Sequence, residues 1–140
     1  MPNGKRIGLI TAAILSLAFI SPVVHANALS FIKQYHGQRI YSWDGKYLSL
    51  YQGKRIYEWD GQYLSAYHGK RLYSWDGRYI SLYQDKRFLE IQADTIRLYL
   101  GKAIFKWDSQ YLSRYQGPRI FEIEGSVPIV ILALLANGRL

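Results

Sequence analysis

The chain repeats itself every sixteen residues over most of its length, without an insertion or a deletion. The first full block reads IYSWDGKYLSLYQGKR. The aligned blocks begin at Ile40, Ile56, Leu72, Phe88, Ile104 and Ile120. A short fixed period is typical of architectures in which each block forms one supersecondary unit and neighbouring units share a continuous core. The period therefore constrains the fold more than any other feature of the sequence.

Each block carries two turn signals that stand eight residues apart. One is Asp-Gly, as at Asp44-Gly45, and the other is Gln-Gly or His-Gly, as at Gln52-Gly53. Asp-Gly between segments rich in Tyr, Trp, Ile and Leu is a strong hairpin signal, because a type I′ turn requires positive φ at both central residues. We therefore predict one hairpin in each block, with strands of about six residues, two-residue turns and antiparallel neighbours.

Pairing about Asp44-Gly45 assigns the side chains to two faces, because they alternate along a strand. The pairs on the first face are Trp43 with Lys46, Tyr41 with Leu48, and Arg39 with Leu50. The second face carries Ile40, Ser42, Tyr47, Ser49 and Tyr51. The first face is the more apolar and is predicted to be buried, with its Lys and Arg reaching solvent near the turns. Every hairpin is predicted to keep this division, because the half-period is even.

Closing the sheet removes the exposed edges that otherwise promote aggregation, and no strand of different composition is present to cap an open sheet. With a partial unit from Phe31 to Gln38, the blocks predict an all-β fold: a closed antiparallel meander of about 12 short strands, built from six 16-residue hairpin repeats. The predicted barrel is shallow and pseudo-symmetric. One block, Phe88 to Ala103, has Ile91-Gln92-Ala93-Asp94 in place of Trp-Asp-Gly. We expect a bulged or longer hairpin there, which leaves the number of hairpins open.

The apolar run from Val127 to Ala136 is about half as long as a membrane-spanning helix needs to be. Pro128 suits the first turn of a helix and Asn137-Gly138 suits its end, so the run predicts a short helix that is apolar all round. Such a helix requires an apolar enclosure. We expect it in or near the centre of the barrel, in the same domain as the hairpins, with 127–140 as helix and tail and 27–126 as the repeat domain.

Residues 1–26 are predicted to be a secretory signal peptide, in which Lys5 and Arg6 precede an apolar stretch and small residues permit cleavage after Ala26. The alternative is an uncleaved anchor, since Ile7 to Val24 approaches the length that spans a bilayer. The predicted location is therefore outside the cytoplasm: periplasmic, envelope-associated or secreted.

The unit Tyr-x-Trp-Asp-Gly-x-Tyr-Leu-Ser-x-Tyr-x-Gly-Lys-Arg, followed by Glu124-Gly125-Ser126-Val127-Pro128 and an apolar tail, resembles the β-flower proteins in their four-fold form. The resemblance covers Ser30 to Leu140. It implies hairpin petals around a pseudo-rotational axis with a hydrophobic centre. It implies no catalytic residue, and the family has no established biochemical function.

Nothing in the sequence indicates an enzyme, a cofactor or a metal site. Cysteine is absent, and no Ser, His and Asp set or metal-ligand spacing is present. The recurring carboxylates are Asp44, Asp60, Asp76 and Asp108. Aspartate suits these positions because it tolerates turn conformations, so its recurrence is explained by the repeat alone.

The formal net charge of +8 favours an anionic partner. Basic residues recur at the turns between blocks and are predicted to form a ring: Arg39, Lys54, Arg55, Lys70, Arg71, Lys86, Arg87 and Arg119. In the alternative interpretation, these charged residues only protect the solvated turns and block edge pairing. The candidate aromatic contacts are Tyr47, Tyr51, Tyr63, Tyr67, Tyr79, Tyr83, Tyr111 and Tyr115.

These residues predict a non-catalytic module that binds anionic lipid or an envelope polymer at a membrane or envelope surface. The alternatives are a purely structural role and binding of carbohydrate or cell-wall glycan through the aromatic side chains. Nucleic acid is not the expected ligand of an exported protein. The sequence leaves the oligomeric state open.

Overall fold

A computed structural model describes residues 28–140, which form twelve β-strands and one helix. The strands are β1 (Ser30–Gln34), β2 (Arg39–Trp43), β3 (Tyr47–Leu50), β4 (Arg55–Trp59), β5 (Tyr63–Ala66), β6 (Arg71–Trp75), β7 (Tyr79–Leu82), β8 (Arg87–Gln92), β9 (Thr95–Leu98), β10 (Ala103–Trp107), β11 (Tyr111–Arg114) and β12 (Arg119–Glu124), followed by helix α1 (Ile129–Ala136). The predicted signal peptide and its cleavage after Ala26 lie outside the described residues. In the described part, α1 is too short to cross a membrane.

The strands form one closed antiparallel barrel in sequence order, as predicted. The last strand, β12, pairs with the first, from Phe31 opposite Glu124 to Gln34 opposite Phe121. β12 and β1 therefore complete the sixth hairpin from the two ends of the repeat region. The chain contains six hairpins in a ring, more than the four-fold form of the resembling family would have.

One residue of each hairpin contributes to a fully buried ring inside the barrel. The ring consists of Ile32, Leu48, Leu64, Ile80, Ile96 and Leu112, all with no exposed surface. Each such side chain contributes about 1.5–3 kcal/mol when it leaves water. The first face is therefore the buried one at these positions, as predicted.

Helix α1 lies inside the barrel, where Ile131, Leu132 and Leu134 are fully buried against the inward side chains of the strands. Its end is a glycine termination: Gly138 has φ 72°, and its N–H donates to the Leu135 carbonyl at 3.1 Å. The predicted helix and its end at Asn137-Gly138 are confirmed, but the helix begins at Ile129 rather than at Val127. Pro128 precedes the first helical residue.

The predicted hairpin register is wrong by two residues. Trp43 pairs with Leu48 rather than with Lys46, and Tyr41 pairs with Leu50. Asp44 is not a central residue of the turn, because its N–H donates to the Tyr47 carbonyl at 3.3 Å and leaves Gly45 and Lys46 in the centre. Only the glycine has positive φ, at 102°. The two-residue turn is confirmed, but its centre lies one residue further along the chain.

A β-bulge at the start of each even-numbered strand overturns the predicted division of faces there. Leu48 pairs with Tyr57 while Ser49 pairs with Arg55, so Ile56 is the extra residue. The bulge lets Ile56 pack against the core and turns Arg55 to the outer surface. For the same reason Ile40 packs inward and Arg39 lies outside, contrary to the prediction.

The turns between hairpins also differ from the predicted two-residue form. Leu50 and Lys54 pair through the Leu50 N–H and the Lys54 carbonyl at 3.0 Å, which leaves three residues in the loop. Gln52 takes the left-handed conformation with φ 55°, rather than Gly53. Glycine is suited to position 53 because a Cβ there would lie 3.0 Å from the Leu50 Cβ.

The divergent block keeps the symmetry that it was expected to break. Ile91 pairs with Ile96 and Gln92 with Thr95, without a bulge inside the hairpin. Ala93 and Asp94 form a two-residue turn in which Ala93 has φ 56°. The hairpin is longer only in that β8 has six residues. The number of hairpins is therefore six.

Candidate functional site

A closed meander places alternate turns at opposite ends of the barrel, which gives the molecule two chemically different rims. We call the end that carries the turns within hairpins the Asp rim: Asp44, Asp60, Asp76 and Asp108, with Gln92 and Glu124 at the two other equivalent positions and Asp94 in the turn after Gln92. We call the end that carries the turns between hairpins the Lys rim: Lys54, Lys70, Lys86 and Lys102, with Gln38 and Pro118 at the remaining positions.

The four carboxylates that share one repeat position on the Asp rim, those of Asp44, Asp60, Asp76 and Asp108, serve the turns that carry them. Asp60 Oδ1 accepts hydrogen bonds from the backbone N–H groups of Gln62 at 2.8 Å and Tyr63 at 2.7 Å. The same bonds recur at Asp44, Asp76 and Asp108. The bond from the tyrosine N–H is the main cause that lowers the pKa of Asp60, Asp76 and Asp108. Within residues 28–140 no group of three His, Cys, Asp or Glu side chains could hold a metal ion.

The outer wall of the barrel carries a repeated stack of one arginine and two aromatic rings. The Arg55 guanidinium lies 4.0 Å from the Tyr47 ring centroid and 5.9 Å from that of Tyr67. The two rings meet edge to face with centroids 5.5 Å apart. Equivalent stacks form around Arg39, Arg71, Arg87 and Arg119. Each exposed contact of this kind contributes about 0.5–1 kcal/mol and joins neighbouring hairpins.

The candidate aromatic residues thus lie outside the barrel, but most are engaged within it. Arginine covers one ring in each of the five stacks, and among the candidate residues these rings are those of Tyr47, Tyr63, Tyr79 and Tyr111. The second rings include Tyr51, Tyr67 and Tyr83. Tyr115 belongs to no such stack in the described part and is 43% exposed. Sequence analysis missed Phe31, Tyr35 and Tyr99, which complete three stacks and could have been found from the sixteen-residue period.

The predicted basic ring divides into two sets. Its arginines lie on the outer wall in the stacks, whereas Lys54, Lys70 and Lys86 are exposed on the Lys rim. Lys102 occupies the same repeat position and was missed because its block is divergent. None of the ion pairs among the described residues involves these four lysines. Other lysines are neutralised locally, such as Lys46, whose Nζ lies 3.6 Å from Glu58 Oε2.

The exposed apolar side chains gather on the same rim as the four lysines. The large hydrophobic residues that the Lys rim exposes are Leu50, Tyr51, Leu98, Tyr99, Leu100 and Tyr115. Leu100 is the most exposed of them, at 85%, and lies at the tip of its turn with φ 56°. At the opposite end, only Leu29 is comparably exposed among the described residues, at 51%. The Lys rim therefore combines unpaired positive charge with apolar surface.

Comparison of the chain with protein-family models, with curated proteins and with solved structures finds no match.

Proposed function

We propose that this protein is an exported, non-catalytic module that binds peripherally to an anionic membrane or envelope surface through its Lys rim. The observation that supports the proposal best is the presence, on one rim, of four unpaired lysines and the most exposed leucine and tyrosine side chains. The Asp rim, with its carboxylates, lies at the opposite end of the barrel. The charge distribution therefore favours one orientation of the barrel on a negative surface.

The expected strength of binding follows from the side chains of the Lys rim. A lysine close to an anionic leaflet contributes about 1 kcal/mol, so Lys54, Lys70, Lys86 and Lys102 supply about 4 kcal/mol at low salt. Leu100 adds apolar area that can enter the headgroup region, and tyrosine is enriched at that depth because one end of its ring is polar. The attraction must weaken with salt, since the lysines are exposed.

We also propose that the chain is a β-flower protein with six petals. Its repeat unit and the apolar helix in the centre of its hairpin ring support this assignment. The family would bring no catalytic residue with it, which agrees with the use of the recurring aspartates as turn acceptors.

Binding of a carbohydrate or wall glycan is the second candidate function. Shallow grooves on the outer wall favour it, such as one of about 400 Å³ lined by Ser42, Tyr47 and Ser49. We rank it second because arginine already covers the Tyr47 ring, at 4.0 Å, and sugars bind aromatic side chains through the same ring face. The four tryptophans lie on the inner face, where Trp43 is 6% exposed.

The test is sedimentation of the exported protein with neutral and anionic vesicles at low and high salt. We expect binding only to anionic vesicles, with loss at high salt. The variant Lys54→Gln, Lys70→Gln, Lys86→Gln, Lys102→Gln should bind about a thousandfold more weakly, from about 1 kcal/mol per lysine.

A matched control neutralises four cations that already have carboxylate partners: Lys33, Lys46, Arg78 and Lys106. It lowers the net charge by the same amount but leaves the Lys rim intact. We expect it to retain most of the binding. Equal loss in both variants would assign the attraction to net charge and contradict the role of the rim, and binding that resists salt but yields to competing saccharide would favour the second candidate.

A further inference from the structure

One of the six junctions between hairpins lacks the arginine and aromatic stack. At this junction, between β9 and β10, Ala103 stands where the other junctions have arginine and Thr95 stands where they have a first ring. Tyr115, in the place of the second ring, remains alone and 43% exposed. The substitutions leave a gap in an otherwise complete outer wall.

Beside this junction, a cleft of about 440 Å³ opens at the Lys rim, next to the end of α1. Its lining includes Lys102, Arg114 and Tyr115. Ile104 and Phe105 of β10 and Ala136 of α1 supply apolar surface. Arg114 is unusual, because the other hairpins have Gln34, Leu50, Ala66, Leu82 and Leu98 at its position. Neither Lys102 nor Arg114 takes part in an ion pair among residues 28–140.

We infer that this cleft binds the terminal phosphate of a phosphomonoester lipid headgroup. The inference rests on the proposed function, which turns the Lys rim towards the membrane. Lys102 and Arg114 bring two positive charges to one opening, and Arg114 can donate two parallel hydrogen bonds to phosphate oxygens. A phosphate monoester carries up to two negative charges near neutral pH, whereas a phosphodiester carries one, so the paired cations favour the monoester.

The surroundings of the cleft favour a lipid over free phosphate as the source of that group. Leu98, which lines the cleft, is 38% exposed, and the neighbouring Leu100 is 85% exposed. Apolar side chains at the mouth can stay in contact with the membrane while the headgroup enters between Lys102 and Arg114. Free phosphate would gain nothing from this apolar margin.

The experiment compares vesicles that contain phosphatidic acid, a monoester, with vesicles that contain phosphatidylglycerol, a diester, at matched surface charge. We expect the wild-type protein to bind the phosphatidic acid vesicles roughly tenfold more tightly, the size expected for hydrogen bonds to charged groups. Arg114→Leu should abolish this preference and keep salt-sensitive binding to both lipids. Leucine already occupies the equivalent position in three hairpins, so the variant should fold.

Ala103→Arg provides an opposite test, because Ala103 lines the cleft and the substitution places there the longer side chain that the other five junctions carry. It adds a positive charge, so attraction by charge alone would strengthen binding to both vesicles. The proposed site predicts loss of the preference for phosphatidic acid. A preference that survives Ala103→Arg and Arg114→Leu would overturn the inference.

Lys102→Ala and Lys70→Ala form a matched pair, since both lysines hold the same repeat position and only Lys102 lines the cleft. Both should weaken binding to phosphatidylglycerol vesicles about fivefold, but only Lys102→Ala should reduce the preference for phosphatidic acid. Equal wild-type binding to both anionic vesicles would refute the cleft and leave the proposed function intact. Binding to neither would refute both, and equally tight binding of inorganic phosphate would overturn the lipid source.

Discussion

The two rims of the barrel solve the same problem, reversal of a strand, in different ways. In most turns of the Asp rim a carboxylate accepts the turn N–H groups and a glycine such as Gly61 carries the positive φ, with Ala93 and Ser109 as the exceptions to glycine. On the Lys rim the positive φ falls on residues with side chains: His36, Gln52, His68, Gln84, Leu100 and Gln116. A left-handed residue other than glycine costs about 1–2 kcal/mol. Most turns of the Asp rim thus avoid this cost, whereas every turn of the Lys rim accepts strain at a residue whose side chain leaves the barrel.

The largest effect should come from Gly61→Ala on the Asp rim. Gly61 has φ +96°, where an alanine is strained, so we expect a loss of about 1–3 kcal/mol in the free energy of unfolding. Gly69→Ala on the Lys rim needs only a small shift, because its Cβ would meet the Ala66 Cβ at 3.0 Å without a positive φ. Urea unfolding of the two variants measures the difference, and equal losses would remove the contrast between the rims.

Asp60→Ala should have the next largest effect. It removes the acceptor of the Gln62 and Tyr63 N–H groups and should lower the free energy of unfolding by about 1 kcal/mol, since both groups can turn to water. Asp60→Asn keeps an acceptor oxygen and should lose less. The same urea titration checks both variants, and equal losses would show that the charge of Asp60 rather than its acceptor oxygen sets the turn.

Leu100→Gly should separate stability from binding on the Lys rim. Relief of the left-handed strain at φ 56° should raise the free energy of unfolding. The net gain should be about 0.5 kcal/mol once the greater conformational freedom of glycine in the unfolded chain is subtracted. Loss of an 85% exposed leucine should weaken binding to anionic vesicles. Gln116→Gly, at φ 55° in the equivalent turn, should share the gain in stability without the loss of binding. Unchanged vesicle binding by Leu100→Gly would exclude it from the contact.

The smallest effect should be the loss of stability at acidic pH. Because the folded state lowers the pKa of Asp60, Asp76 and Asp108 below the ordinary 3.8, the turn bonds stabilise the protein fully above that value. This contribution is lost as the pH falls through the lowered pKa values. We expect a modest drop in melting temperature below about pH 4, because the carboxylates are exposed. The triple Asp→Asn variant should lack this part of the pH dependence, and the rim lysines should not contribute to it.

Much of the architecture could be predicted because it depends on spacing alone. The sixteen-residue period defines six hairpins, and the matched strands at its two ends allow β12 to pair with β1. The candidate site was predicted less well. Lys54, Lys70 and Lys86 were identified from their repeat position. Lys102 holds that position too but lies in the divergent block, and Arg114 follows no repeated pattern.

The amino-acid sequence by itself determined the class of fold, the hairpin repeat and the apolar helix, because each follows from local pattern and period. Only the tertiary structure decided the pairing register, the bulge that turns Ile56 inward and Arg55 outward, and the gathering of Leu100 with the lysines on one rim. The physical reason is that turns and periods are encoded within a hairpin, whereas a bulge and a rim are set by contacts between neighbouring hairpins. Those contacts appear only when neighbouring hairpins pair.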